Sequence, residues 1–240
     1  MKNGSINDIV LTEYPRSGVT YLGFLLAGAR LLNNGIDLKP TMYNIDTLLI
    51  DTCKMVALET TCIWKDGLGV FLKTHNPWMC LPTVIYVLRN PVDAIRSYYQ
   101  YKGRLRVNEA APNTSIETMV MDWNNHVRSW LIDNQHAEQC IFVTQYEDLI
   151  ANPGAELTKI LQVLGLPSCH VGEAVELASK ANMVESEQAR VARDPVYSRF
   201  NVQFVREDER RETPEVTPEM ETYIKLYAGP NYNLVRERLS

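Results

Sequence analysis

The sequence has no closely spaced cysteines and no long apolar run. Its five cysteines are scattered and odd in number, so neither a disulfide framework nor a zinc cluster is indicated, and reduced thiols in a cytoplasm fit best. No stretch reaches the ~18 to 20 consecutive apolar residues of a membrane-spanning helix, and residues 1–5 contain no apolar signal core. These absences together predict a soluble, cytoplasmic protein.

Positive charge is also scarce. The 24 lysine and arginine residues are outnumbered by 29 acidic residues, which gives a net charge of -5 at pH 7. Because nucleic acids and anionic membranes are bound by broad basic surfaces, neither is an expected partner. An anionic ligand would be bound by a few cations at one place. The length of 240 residues suits one well-buried α/β domain, and residues 1–240 are predicted to form a single one.

Segments typical of strands alternate with segments typical of helices. Short β-branched and apolar runs predict strands at 9–12, 69–72, 83–88 and 140–143. Helical periodicity is found from residues 19, 90, 115, 153, 171 and 217 onward. The expected fold is therefore a three-layer α/β structure, with a mainly parallel central sheet, helices on both faces and a P-loop-like strand–loop–helix at the N-terminus.

Three segments have weaker patterns. Residues 45–50 form a weak helical patch, and residues 101–112 are basic and are predicted to be a mobile, solvated loop in preference to a substrate lid. Beyond Glu185 the chain is charged and weakly apolar until residues 217–226, which predict a final helix.

The segment Tyr14–Tyr21 joins the first predicted strand to the first predicted helix. Gly18 allows the backbone to come close to a ligand, and Ser17 and Thr20 supply hydroxyl groups. The N–H groups at the start of a helix carry partial positive charge, and Arg16 adds a full one. Taken alone, this segment is consistent with an ordinary turn or with an anion-binding site.

Polar residues also follow two other predicted strands. Lys73 and His75 come after one strand, and Arg89 comes after the next, with Ser97 on the helix that follows. In open α/β sheets ligands bind outside the carboxyl ends of the strands, so these residues are expected to share an edge with Arg16. The result would be a cationic, hydroxyl-rich pocket around one imidazole, suited to a nucleotide with phosphates at both ends.

Four segments in order make the chain resemble a sulfotransferase that uses 3′-phosphoadenosine-5′-phosphosulfate (PAPS). Residues 14–21, Tyr-Pro-Arg-Ser-Gly-Val-Thr-Tyr, are similar to the family's 5′-phosphosulfate loop, Tyr-Pro-Lys-Ser-Gly-Thr-Thr-Trp. Residues 72–77 resemble the Lys-Thr-His-x-Pro segment that carries the general base. Residues 86–99 resemble the 3′-phosphate motif, and Tyr-Glu-Asp-Leu at 146–149 resembles the segment near the adenine. Order and spacing match over residues 9–167.

This resemblance implies in-line transfer of a sulfuryl group from PAPS to an acceptor hydroxyl, leaving the 3′,5′-bisphosphate (PAP). It implies His75 as the general base, with Lys73 and Arg16 offsetting the negative charge that develops during transfer. No metal is implied. The residues that the resemblance implies for cofactor binding are Arg16, Ser17, Gly18, Val19, Thr20, Tyr21, Arg89, Ser97, Tyr146 and Arg206.

The sequence departs from the family pattern at three places. Arg16 replaces a lysine, although some carbohydrate and protein-tyrosine sulfotransferases resemble this chain in having arginine there. Tyr21 replaces a tryptophan that stacks on adenine, and a phenol ring can also stack. The C-terminal Arg-Lys-Gly loop has no clean counterpart, and Arg206 is the expected stand-in.

Two other functions stay open from the sequence. A P-loop kinase or other nucleotide phosphotransferase needs Gly-x-x-x-x-Gly-Lys-Ser/Thr, but residues 15–18 lack the first glycine and the Lys-Ser pair. A non-catalytic PAP- or PAPS-binding module is compatible with the irregular C-terminal segment. The acceptor is expected to be a small molecule, natural product or sugar with a hydroxyl group, bound by residues 41–64, 102–114 and 183–211.

Overall fold

A parallel β-sheet forms the centre of the computed structural model, which describes residues 8–42, 44–51, 66–77, 83–106, 115–134, 141–193 and 215–239. The strands in these ranges are β1 Ile9–Glu13, β2 Leu49–Asp51, β3 Phe71–Thr74, β4 Thr83–Leu88 and β5 Ile141–Gln145. Within the described residues the strand order is β2-β3-β1-β4-β5, and every neighbouring pair is parallel. The strands therefore all end at the same edge of the sheet.

Helices cover both faces of this sheet. They are α1 Val19–Asn33, α2 Ile45–Leu48, α3 Pro91–Arg106, α4 Ile116–Val127, α5 Tyr146–Ala151, α6 Pro153–Val163, α7 Val171–Leu177, α8 Lys180–Arg193 and α9 Pro218–Leu239, with a π-helical turn, Arg128–Ile132, after α4. Alternate residues of β1 point to opposite faces, so Ile9 and Leu11 pack with α1, α6 and α7, whereas Val10 packs with α3, α4 and α9. The predicted three-layer α/β fold is confirmed.

The strand order determines which loops meet. β1 lies between β3 and β4, with Thr12 opposite Thr74 on one side and Glu13 opposite Val87 on the other. The chain that leaves β1 therefore emerges between the residues that follow β3 and those that follow β4. These are the three segments that the sequence predicts to share an anion site.

The loop predicted for residues 101–112 is wrong over its first half, because α3 continues to Arg106. Its extension contains Tyr101, whose ring stacks on that of Tyr98 one turn earlier at 6.3 Å between centroids. The ammonium group of Lys102 lies 5.3 Å from the centre of the Tyr98 ring. Such contacts between residues three and four positions apart stabilise a helix and outweigh the basic, loop-like composition. Residues 107–114 lie outside the described residues.

Two of the weaker segments also differ from expectation. The patch at 45–50 divides into the short helix α2 and the edge strand β2, which pairs with β3. Beyond Glu185 the chain continues as α8, because Met183 and Glu187 bury one side of this helix against the rest of the protein. A pattern of mixed charges hides such a narrow buried stripe from sequence analysis.

Helix α9 begins where the sequence predicts but ends at Leu239 rather than near residue 226. It packs against α3 and α4 through Ile224, Ala228 and Val235. Pro230 lies inside the helix without ending it. Within the described part of the chain, no helix, α9 included, combines the length and the apolar character needed to cross a membrane.

Candidate active site

The loop between β1 and α1 is a tight turn that is anchored to the neighbouring layer. Arg16 and Gly18 have positive φ angles of 74° and 114°, in the region that favours glycine. The Ser17 N–H donates to the Tyr14 carbonyl at 3.2 Å. The Tyr14 hydroxyl is buried and donates to the carbonyl of Met119 on α4, also at 3.2 Å. An arginine held at positive φ indicates that the surrounding contacts dictate the shape of this loop.

Gly18 is the point where the first and last predicted motifs touch. A Cβ atom added at Gly18 would lie 2.5 Å from Cδ2 of Tyr146, the first residue of α5. The same ring also contacts a cation, since Cζ of Arg89 lies 4.2 Å from its centre. The structure therefore brings the β1–α1 loop, the residue after β4 and the start of α5 together, as the motif order predicts.

Two nitrogen atoms of Arg89 differ in their hydrogen bonding. Its Nη1 donates to the Arg16 carbonyl oxygen at 2.8 Å. Its Nε is buried and has no hydrogen-bond partner among the described residues. A buried guanidinium N–H without a partner is uncommon, and a phosphate oxygen is the acceptor that such a group suits best. The residues present at this edge therefore fit a phosphorylated nucleotide.

The side chain of Arg16 extends to α3. Its Nε lies 3.4 Å from the buried Oγ of Ser97, to which it donates a long hydrogen bond. Its Cζ lies 5.2 Å from the centre of the Tyr101 ring, within the range of a cation–π contact. Tyr101 belongs to the part of α3 that was predicted to be a loop, so sequence analysis missed its role in orienting Arg16. The guanidinium of Arg16 thus joins the loop after β1 to the helix after β4.

His75 follows β3 and faces the end of β1. Its Nδ1 lies 3.3 Å from the carbonyl oxygen of Glu13. Because a carbonyl oxygen only accepts hydrogen bonds, Nδ1 carries the proton in this contact and Nε2 bears the lone pair. The next turn is held by Trp130, whose Nε1 donates to the Asn76 carbonyl at 2.9 Å. Lys73 is partly exposed on β3, and its charge acts on the side chain of Glu13.

Glu13 is a site residue that sequence analysis missed. Its carboxylate is buried, and Oε2 accepts a hydrogen bond from the Val19 N–H at 2.5 Å, at the first residue of α1. Burial raises the pKa of Glu13 to about 7, against the opposing effects of the Val19 hydrogen bond and the charges of Lys73, Arg16 and Arg89. An acidic residue at the end of an apolar strand was the available signal.

His126 is a second missed residue. It lies on the buried face of α4 with Nδ1 2.8 Å from the hydroxyl oxygen of Tyr86, while its Nε2 is buried without a hydrogen-bond partner among the described residues. Burial, with a smaller contribution from the charge of His75, lowers the pKa of His126 to about 3. Its spacing from Trp123 and Trp130 on one helical face was the signal in the sequence.

This buried imidazole makes stability depend on pH. The folded state holds His126 neutral, with a pKa of about 3, whereas the unfolded chain protonates it near pH 6.5. Its contribution to stability is therefore complete above about pH 6.5 and is lost as the pH falls. When the pH falls from about 8 to about 5, we expect the loss of this contribution to lower the free energy of unfolding by about 2 kcal/mol. Urea unfolding of His126→Gln should lack this part of the pH dependence, which His170→Gln should retain.

The remaining predicted site residues divide into two groups. The first turn of α1 contains Val19, Thr20 and Tyr21. Tyr21 is half-buried, and its pKa is raised mainly by burial and to a lesser extent by the nearby Tyr146. Arg206 lies outside the described residues. The structure therefore brings together every predicted site residue that it describes at one edge of the sheet.

Comparison with known proteins identifies the family to which this chain belongs. A cationic loop between the first strand and first helix, with phosphate-suited donors after the neighbouring strand, suits an α/β protein that binds a phosphorylated nucleotide. The family model described as the sulfotransferase domain matches residues 7–225. The chain belongs to this sulfotransferase family. Family membership confirms the predicted class of enzyme and its sulfuryl donor, PAPS, and does not favour the phosphotransferase or the non-catalytic alternative.

Several known proteins are similar to this chain. Sulfotransferase 1A1 of Rattus norvegicus is 28% identical over 203 residues, which span 75% of this chain and 68% of that protein. Sulfotransferase 1B1 of Canis lupus familiaris is 29% identical over 180 residues, which span 66% of this chain but only 59% of that protein. The mouse sulfotransferase SULT7A1, solved with PAP, is 17% identical with a TM-score of 0.60, over 99% of this chain and 90% of that one. Retinol dehydratase, solved with androsterone and PAP, is 13% identical with a TM-score of 0.61, over 94% and 80%. These two structures support the fold.

Proposed function

We propose that this chain transfers a sulfuryl group from PAPS to the hydroxyl group of a small molecule, with His75 as the general base. The observation that carries the proposal is the setting of Arg89. Its guanidinium is held by the Arg16 carbonyl and the Tyr146 ring, and its buried Nε has no partner among the described residues. This arrangement supports a phosphate-binding site at the end of β1, where His75 contacts the Glu13 carbonyl.

The described residues suggest how the nucleotide would be held. The first N–H groups of α1, with the hydroxyl groups of Ser17 and Thr20, would bind the 5′ end, because the N-terminus of a helix attracts anions. Arg89 and Ser97 would bind the 3′-phosphate. Tyr21 and Tyr146 lie close together, since Tyr146 contributes to the raised pKa of Tyr21, and both would flank the adenine. Gly18 would contribute its backbone to this site, and it must be glycine because Tyr146 leaves no room there for a Cβ atom.

PAPS supplies the sulfuryl group when bound, with PAP as the leaving group. The hydrogen bond from Nδ1 of His75 to the Glu13 carbonyl orients the ring and selects the tautomer with Nε2 as the base. Nε2 would take the proton of the acceptor hydroxyl as its oxygen attacks. Lys73 and Arg16 would stabilise the negative charge that develops, which is the usual role of cations in group transfer of this kind.

The acceptor and the location of the protein are further parts of the proposal. We propose a hydroxyl-bearing small molecule, such as a natural product or a sugar, in a cytoplasmic setting. The segments expected to line its pocket, 41–64, 102–114 and 183–211, fall partly outside the described residues. A net charge of -5 supports a partner other than a nucleic acid or an anionic membrane.

The test uses the purified full chain. Calorimetry with PAP measures binding, and sulfur-labelled PAPS with a panel of phenols, alcohols and sugars measures transfer. We expect binding of PAP and labelled product from at least one acceptor class. No binding of PAP would refute the proposal. Tight binding without transfer to any acceptor would instead support the non-catalytic alternative.

A further inference from the structure

The carboxylate of Glu13 lies where the proposed function places an anion of the ligand. Its Oε2 accepts the N–H of Val19, which is one of the first N–H groups of α1 and has no acceptor within the helix. The 5′ end of PAPS is proposed to bind the same helix N-terminus. Two anions cannot both bind this N–H group, and two negative charges next to each other in a buried site repel strongly.

Charged groups from three neighbouring segments surround this carboxylate. Lys73 acts from β3, Arg16 acts from the loop after β1, and Arg89 acts from the end of β4. The Nδ1 of His75 contacts the backbone carbonyl of Glu13. The charge of the Glu13 carboxylate, after burial, contributes to the raised pKa of Tyr86 on β4. Glu13 thus neutralises part of a cationic cluster that is proposed to bind phosphate groups.

We infer that the Glu13 carboxylate competes with the 5′-phosphate end of PAPS or PAP for the N-terminus of α1, and that nucleotide binding is accompanied by uptake of a proton at Glu13. This inference rests on the proposed function. Glu13 is thereby a positioning residue that couples cofactor affinity to pH. The proton comes from the solvent and stays on the carboxyl oxygen, which then donates a hydrogen bond to an oxygen of the ligand instead of repelling it.

The position of Glu13 makes this proton uptake feasible near neutral pH. Burial at 3% exposure disfavours the charged carboxylate, and its pKa is already raised to about 7. Below neutrality the carboxyl group is largely protonated before the nucleotide arrives, so binding needs no further proton. Above neutrality the Glu13 carboxyl group is ionised before the nucleotide arrives, so binding must be coupled to uptake of one proton. The dissociation constant should then rise about tenfold per pH unit.

The test compares wild type with Glu13→Gln by calorimetry with PAP. Titrations at about pH 6 and about pH 8.5, each in two buffers of different ionisation enthalpy, give both the dissociation constant and the number of protons taken up. Glutamine is nearly isosteric and keeps an oxygen acceptor for the Val19 N–H. Glu156→Gln is the matched control, since Glu156 is also buried but is hydrogen bonded to Thr144 at 2.9 Å, away from the loop.

For the wild type and the Glu156 control we expect weaker binding at high pH, by about tenfold or more, with uptake of about one proton. Glu13→Gln should bind PAP more tightly at high pH and take up that proton no longer. All three proteins contain His75 and bind the same phosphate groups of PAP. A difference in proton uptake between Glu13→Gln and the other two is therefore due to Glu13.

Two results would overturn the inference while leaving the proposed function intact. One is PAP binding by the wild type without proton uptake at about pH 8.5, which decides the matter even if Glu13→Gln does not fold. The other is an identical pH profile in wild type and Glu13→Gln. If none of the proteins binds PAP at either pH, the proposed function fails, and the inference fails with it.

Discussion

Replacing His75 with alanine is expected to lower the rate of sulfuryl transfer by about 10²- to 10⁴-fold. Its Nε2 is the base in the proposed mechanism, whereas its Nδ1 contacts the carbonyl of Glu13, in the contact that defines its tautomer. The affinity for PAP should therefore change little. Single-turnover assays with labelled PAPS measure the rate, and calorimetry with PAP measures the affinity.

A second histidine provides the matched control for this experiment. His170 lies at the N-terminus of α7 and pairs with Glu173 at 3.5 Å, in a part of the chain that the proposed mechanism does not use. His170→Ala should keep both transfer and affinity. Equal losses of transfer and of PAP affinity in His75→Ala would contradict the assignment of His75 as the base, because they indicate a disturbed structure around β3.

Replacing Arg89 with alanine is expected to weaken PAP binding by about 30- to 1000-fold, equivalent to about 2–4 kcal/mol. The substitution removes the buried Nε donor that suits the 3′-phosphate and the cation stacked on Tyr146. It also releases the Arg16 carbonyl, which accepts from Nη1 at 2.8 Å. Transfer measured at saturating PAPS should fall much less than affinity does. Calorimetry and the dependence of the initial rate on PAPS concentration separate the two effects.

Two variants sharpen the result for Arg89. Arg89→Lys keeps the positive charge but not the planar donors, so its affinity should lie between those of wild type and Arg89→Ala. Arg128→Ala removes an exposed arginine that pairs with Asp133 at 2.9 Å, and it should bind PAP as the wild type does. Wild-type affinity in Arg89→Ala would show that the 3′-phosphate is bound elsewhere.

The sequence alone determined the fold class and which segments meet. Parallel strands all end at one edge, so a loop after the first strand must lie beside polar residues that follow its neighbours. This rule places Arg16, His75 and Arg89 in one region. Family motifs with matching order and spacing then specified the chemistry, because the motifs combine residue type with position in the chain.

The tertiary structure alone decided how these side chains are held. Local composition made residues 101–106 resemble a loop, but packing extends α3 and places Tyr101 against Arg16. The short strand β2 is extended by pairing with β3, a partner distant in sequence. The same holds for the protonation of the site. The low pKa of His126 and the high pKa of Glu13 both arise from burial, which depends on packing between layers distant in sequence and cannot be read from neighbours along the chain.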